Sequence, residues 1–400
     1  MHMQSELYAP GAPVAAGEIP LCVPFLGGKE GEYVEECIRT NFVSSVGPFV
    51  NRFESMIADF VGADHAVACV TGTAALHIAL LVAGVRENDE VLVPSLTFIA
   101  PANAVRYCNA WPVFIDADPA TWQMSTDAVE EFLSESCELR ESQLFNRITG
   151  RRVSALLPVH VLGHPVDMDP LLELAKRFGL TMVEDATESL GSTYHGRSVG
   201  TLGDIGCFSF NGNKLITTGG GGMIVTSRAK WAKRARYLTT QAKDDPVEYV
   251  HGAVGYNYRL TNIAAAIGCA QAERLDDHIA SKQRTADFYR AAFTGRKGIT
   301  FMPRAEWASP VFWLSSILID EKRAGFGSRD LLEHLRSRGI QSRPLWQPLH
   351  RSKVFHDAQP RECPVAERLA AEALSLPSSV GISENELQQV VDEVATCTPS

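Results

Sequence analysis

Apolar positions recur at two spacings along the first two-thirds of the chain, and the two spacings alternate. Helical spacing predicts helices over 31–39, 51–61, 74–83, 100–108, 125–133 and 169–178; Phe53, Met56, Ile57 and Phe60 mark the second and Gly179 stops the last. Short continuous apolar runs lie between them, at 66–70, 90–93, 112–115, 155–159, 181–184 and around Cys207, Phe208 and Phe210. Such runs predict strands buried on both faces, and their alternation with helices predicts an α/β fold with a mostly parallel sheet. The polar stretch 135–152 reads as irregular.

Near residue 270 the texture changes. The stretch 264–293 reads as one long helical segment, followed by a strand-like run at 311–319 and helices over 328–338 and 384–395. This division predicts a flexible arm over 1–18, a large domain over 19–270 and a smaller α+β domain over 271–400. The chain carries no internal repeat or low-complexity block.

The 400 residues carry a net charge of −10, which argues against non-specific nucleic-acid binding. No apolar run reaches the roughly 18–20 residues needed to cross a bilayer, and the N-terminus lacks the basic start and apolar core of a signal peptide. The nine cysteines show no CxxC pair or metal-finger spacing, so no metal site is expected and a reducing, cytoplasmic setting is the simplest reading.

Candidate chemistry centres on the stretch 203–223, where Lys214 stands among small, apolar and hydroxyl residues just before Thr217, Thr218 and four consecutive glycines. A charged lysine beside a buried strand is costly. Schiff-base chemistry with a carbonyl cofactor such as pyridoxal phosphate is one resolution; a surface lysine beside a glycine turn is the other. The turn Thr71-Gly72-Thr73 between a strand and a helix suits a phosphate. Glu184, Asp185 and Glu188 sit at a strand end, where an ionised acid can keep a pyridine nitrogen protonated. His160 follows another strand and either approaches a cofactor or is a buried structural histidine. Arg259 suits a phosphate or a structural ion pair, and the loop 339–350 either lines a substrate pocket or is a rigid connection. The order of phosphate turn, strand-end acid and lysine, all before the second domain, is that of fold-type I pyridoxal-phosphate enzymes.

Gly72-Thr73-Ala74-Ala75-Leu76, Pro94-Ser95-Leu96-Thr97-Phe98, Glu184-Asp185-Ala186, the run from Ser209 to Lys214 and Gly255-Tyr256-Asn257-Tyr258-Arg259 together resemble the sugar aminotransferases of the DegT/DnrJ/StrS type, from about Ile19 to the C-terminus. The resemblance implies a large domain built on a mostly parallel seven-stranded sheet. It implies Lys214 as Schiff-base lysine and proton shuttle, with Asp185 on the pyridine nitrogen and Phe98 stacked on the ring. Thr73, Ala74 and Ser209 fall at phosphate positions, and Glu188 and Asn213 at cofactor positions. Asn257 would reach the phosphate of a neighbouring subunit, which implies a homodimer with shared sites. Ser44, Ser45, Asn211, Arg259, Arg343, Trp346 and His350 are the expected substrate contacts. L-Glutamate is the implied amino donor. Gly220 stands where most such sequences carry an acid, and 43–47 and 343–346 also resemble a branch acting on UDP-linked 4-keto-6-deoxy-N-acetylhexosamines. GDP-4-keto-6-deoxymannose is the alternative acceptor, and a deoxygenase, a C3-acting aminotransferase or a non-enzymatic regulator are the competing activities.

Overall fold

The computed structural model describes residues 17–245 and 247–398. The arm expected over 1–18 therefore lies outside the described residues, save Gly17 and Glu18. The main sheet is built from β1 (His65–Cys69), β2 (Glu90–Pro94), β3 (Trp111–Ile115), β4 (Cys137–Arg140), β5 (Gln143–Asn146), β6 (Arg152–Leu156), β7 (Thr181–Asp185), β8 (Ile205–Ser209) and β9 (Gly222–Thr226). Its seven-stranded path runs β1-β9-β8-β7-β6-β2-β3, with β4 and β5 attached to β6. Along that path only β9 runs against the others, pairing antiparallel with β1 and β8. The sheet is thus mostly parallel, as the continuous apolar runs imply.

Both faces are covered. On β1, Val67 and Cys69 join one apolar cluster while Ala66 and Ala68 join the other. The first cluster includes side chains of α3 (Gly72–Val82), α4 (Ala100–Tyr107) and α7 (Ala229–Thr239). The second takes α2 (Pro48–Val61), α5 (Thr126–Glu135), α6 (Met168–Phe178) and α8 (Asn262–Ala272). Period-two side-chain alternation makes each strand serve both layers.

The C-terminal part carries a second sheet of β10 (Ile299–Phe301), β11 (Ser315–Ile319), β12 (Arg343–Pro344) and β13 (Ala373–Leu376), antiparallel throughout in the order β10-β11-β13-β12. The helix α9 (Leu275–Phe293) packs on it. The N-terminal segment crosses to this part: Ile19 N–H donates to Gly339 O at 2.9 Å and Gln341 N–H returns a bond to Ile19 O at 2.9 Å.

Three local expectations change. The polar stretch 135–152 contains the β4–β5 hairpin, whose two-residue turn places Glu141 and Ser142 at φ of 48° and 66°. Its polar side chains include Glu138 paired to Arg140, and that polar content conceals the strands from hydropathy. The expected single helix over 264–293 is two, broken at Glu273 and Arg274, where Arg274 leaves helical geometry at φ −119°. Within 311–319 only β11 pairs as strand, because Phe312 has φ 52° and Val311 N–H is taken by Gly163 O and Ser192 Oγ.

Candidate active site

The carboxyl ends of β1, β2, β7 and β8 open on one cavity of about 350 Å³. Open α/β sheets bind ligands at this edge. After β1 the chain turns into α3, capped by Thr71, whose Oγ1 accepts from Ala74 N–H at 3.0 Å. Gly72 and Thr73 follow as the first helical residues, whose N–H groups have no intrahelical carbonyl to bond. A Cβ on Gly72 would lie 2.8 Å from Ser209 Cβ, so this glycine lets the α3 start approach the end of β8. A Cβ on Gly222 would meet Thr71 O at 2.4 Å, which fixes the last of the four glycines against the same turn. Gly220 differs: its nearest such neighbour is Val70 O at 3.8 Å, and the residue lines the cavity.

Asp185 ends β7 with 1% of its surface exposed. Burial pushes its carboxyl above the usual range, opposed by the Thr187 N–H, which donates to Oδ1 at 3.0 Å, and by the Lys214 and His160 side chains. Lys214 follows a tight turn in which its N–H donates to Asn211 O at 3.0 Å. Its Nζ lies 3.3 Å from Glu188 Oε1 and 3.8 Å from the centroid of the Trp313 ring. The other Glu188 oxygen accepts from Leu162 N–H at 2.9 Å. Burial raises the Glu188 carboxyl as well, with Lys214 the strongest counterweight. The cavity therefore joins an amine, two buried acids and a helix start with free N–H groups. Those are the parts a phosphorylated pyridine aldehyde needs: a nucleophilic amine, an acid for the ring nitrogen and an anion cradle.

The family of DegT/DnrJ/EryC1/StrS aminotransferases matches residues 25–395. The chain belongs to that family. It is a pyridoxal-phosphate-dependent sugar aminotransferase. Among curated relatives, GDP-perosamine synthase of Caulobacter vibrioides is 40% identical over 376 residues, covering 93% of this chain and 96% of the relative. GDP-perosamine synthase of Escherichia coli is 38% identical over 380 residues, covering 94% and 97%. Among solved structures, the aminotransferase TlmJ of Streptoalloteichus hindustanus superposes with a TM-score of 0.85 at 28% identity, covering 94% of this chain and 98% of that one.

Of the expected site residues, Thr73, Phe98, Asp185, Glu188, Ser209, Asn211, Asn213, Lys214 and Trp346 line the cavity. Ala74 does not, and its N–H is committed to the Thr71 cap. Ser44 and Ser45 are exposed and outside it, with Ser44 O accepting from Asn262 N–H at 2.6 Å. Asn257 is exposed on a segment bridged to Thr240.

Three expected substrate contacts have other partners in this chain. Arg259 pairs with Glu54 at 2.5 Å, with only 10% of its side chain exposed. His350 is held between Ser95 Oγ at 2.6 Å and Glu367 Oε1 at 2.8 Å. Arg343 donates to Ser342 O at 2.9 Å and lies outside the cavity lining. His160 is fully buried: its Nδ1 accepts from Val166 N–H at 3.0 Å and its Nε2 faces Glu184 at 3.1 Å. Glu184 faces away from Asp185, as neighbours on a strand do, and also accepts from the N–H groups of Gly200, Leu202 and Gly203.

Trp313 also lines the cavity and carries no motif that marks it. Trp313 sits inside an apolar run that reads as core. Only its ring position over Lys214 reveals it.

Proposed function

We propose that this enzyme transfers the amino group of L-glutamate to C4 of GDP-4-keto-6-deoxymannose. The observation that supports the reaction is the Lys214 amine set in a cavity with Asp185 and the α3 start. The nucleotide is supported by the 40% and 38% identical GDP-perosamine synthases, each matched over nearly its whole length. That similarity outweighs the UDP preference suggested by Gly220, 43–47 and 343–346. A glycine at 220 leaves open volume at the cavity wall, which does not distinguish the two nucleotides.

In this reading the Gly72 and Thr73 N–H groups and the Ser209 hydroxyl would hold the cofactor phosphate, Phe98 would lie against the ring and Asp185 would keep its nitrogen protonated. Bound pyridoxal phosphate supplies an electron sink and carries the amino group between the two half-reactions. Lys214 Nζ takes the proton leaving Cα of L-glutamate and, in the second half, delivers a proton to C4 of the sugar. Glu188 holds that amine in place, Asn213 stays beside the cofactor, and Asn211 and Trp346 are left to face the substrate. Asn257 serves the site of a second copy, a homodimer supported by the exposed Val250 and Val254 beside it.

Assaying GDP- and UDP-linked 4-keto sugars side by side, with mass spectrometry and NMR of the products, tests the assignment. A C4-amino product from the GDP sugar at the higher kcat/KM is expected. Preference for the UDP sugar overturns the nucleotide, and a C3-amino product overturns the position.

A further inference from the structure

Lys282, on α9, is the lysine with the least exposure among the described residues, at 1%. Its Nζ donates to Trp313 O at 2.8 Å and to Ser378 O, and lies 3.4 Å from Cys22 Sγ. These partners are two carbonyls and a sulfur rather than a carboxylate. Burying an ammonium costs several kcal/mol, and an apolar side chain of similar volume generally packs such a place more cheaply. The position of the charge is therefore informative.

Two of its three partners lead to Lys214. The Trp313 indole N–H donates to Asn213 O at 2.6 Å, and its ring lies over the Lys214 amine at 3.8 Å. The Cys22 thiol donates to the same Asn213 carbonyl at 3.2 Å. The third partner, Ser378, anchors the cluster to the start of β11 through Ser378 Oγ, which accepts from Ser315 N–H at 2.9 Å, and to the end of β13, where that hydroxyl donates to Leu376 O at 2.7 Å. The segment carrying Trp313 runs from Phe312, at φ 52°, to β11 without ladder bonds of its own.

We infer that Lys282 is a positioning residue for Lys214. Its ammonium fixes the main chain of Trp313, and with it both the ring over the Lys214 amine and the hydrogen bond to the carbonyl just before Lys214. The role rests on Lys214 being the cofactor lysine. It concerns how that lysine is held before any substrate arrives.

The test uses full-length Lys282→Met and Trp313→Phe. Each protein, freed of cofactor, is mixed with pyridoxal phosphate; growth of the visible absorption band is timed and its pH midpoint recorded. Borohydride trapping followed by peptide mass mapping identifies the lysine that carries the label. Slower attachment to Lys214, by about tenfold, is expected in both variants, with a displaced pH midpoint. Trp313→Phe keeps the carbonyl that Lys282 bonds, so it should unfold within a few degrees of the unaltered protein. Attachment at the unaltered rate and pH midpoint in a folded Lys282→Met overturns the role. If Lys282→Met does not fold, the same result in Trp313→Phe overturns it. Label on another lysine of the unaltered protein overturns instead the reading of Lys214 on which this one stands.

Discussion

The Lys214 amine and the Glu188 carboxylate face each other at 3.3 Å inside the cavity, with 13% and 5% of their side chains exposed. The carboxylate is anchored on its far side by the Leu162 N–H. The amine is therefore aimed, and the two residues are separable by mutation. Lys214→Ala is expected to abolish both the visible cofactor band and turnover. Retained transamination in that variant would remove Lys214 from the mechanism.

Glu188→Gln keeps an oxygen for the Leu162 N–H and removes the negative charge beside the amine. Losing one charge-assisted contact is worth about 1.5–3 kcal/mol, or roughly ten- to a hundredfold in the glutamate half-reaction. Stopped-flow absorbance reads the effect, and an unchanged rate would show that the charge is idle.

The glycine run makes a graded prediction. Gly222→Ala forces a methyl against the Thr71 carbonyl, a backbone atom that cannot step aside alone. A cost of about 1–3 kcal/mol in stability is expected, together with weaker cofactor retention on dialysis. Gly220→Ala meets no such atom and should retain both properties. Equal behaviour of the two variants would mean that the turn is not as tightly packed as these distances state.

Arg259 separates a substrate contact from a structural one. Glu54 accepts from Arg259, from Arg236 at 2.9 Å and from Ala68 N–H at 2.7 Å. Breaking a buried pair from one side costs on the order of 3–5 kcal/mol, and the remaining Arg236 contact should hold Arg259→Met to the lower end. Denaturant unfolding should therefore register the change while the KM for the sugar nucleotide stays within about twofold. A raised KM at unchanged stability would restore Arg259 to the substrate.

Acid stability has a named contributor in His164. Its Nδ1 donates to Pro165 O at 2.7 Å and its Nε2 accepts from Ala305 N–H at 3.1 Å, so both nitrogens are engaged in the neutral form. Burial is the main force lowering its pKa from 6.5 to about 4. A histidine lowered in the folded state contributes stability that is present above pH 6.5 and lost as pH falls toward 4. The full loss is about 3 kcal/mol from this residue. Urea unfolding across that window should show the decline, and His164→Gln should flatten it.

Legibility followed the physics of each signal. The parallel strands were readable because burial on both faces leaves continuous apolar runs. The turn at Gly72, the acid at Asp185 and Lys214 stand out because each is a chemistry-bearing residue type beside a strand end, and the structure brings the three to one cavity. The β4–β5 hairpin was hidden by its polar content. Arg259 and His350 have partners in this chain, Glu54 and Ser95, that lie two hundred residues or more away, and a residue type does not reveal such a partner. Trp313 was invisible for the opposite reason, since an apolar run looks the same whether its tryptophan fills a core or covers an amine.

The contacts of Ser378 also set an order of assembly during synthesis. Leu21 O accepts from Ser378 N–H at 2.6 Å, while Ser378 O receives the Lys282 ammonium. The N-terminal segment at Leu21 and the helix behind Trp313 thus share an anchor that forms only after both have been made. A nascent chain can close its parallel sheet while the ribosome is still at work. The wall behind Lys214 must wait until Ser378 has emerged, so truncations upstream of Ser378 should yield chains that form the sheet yet hold the cofactor poorly.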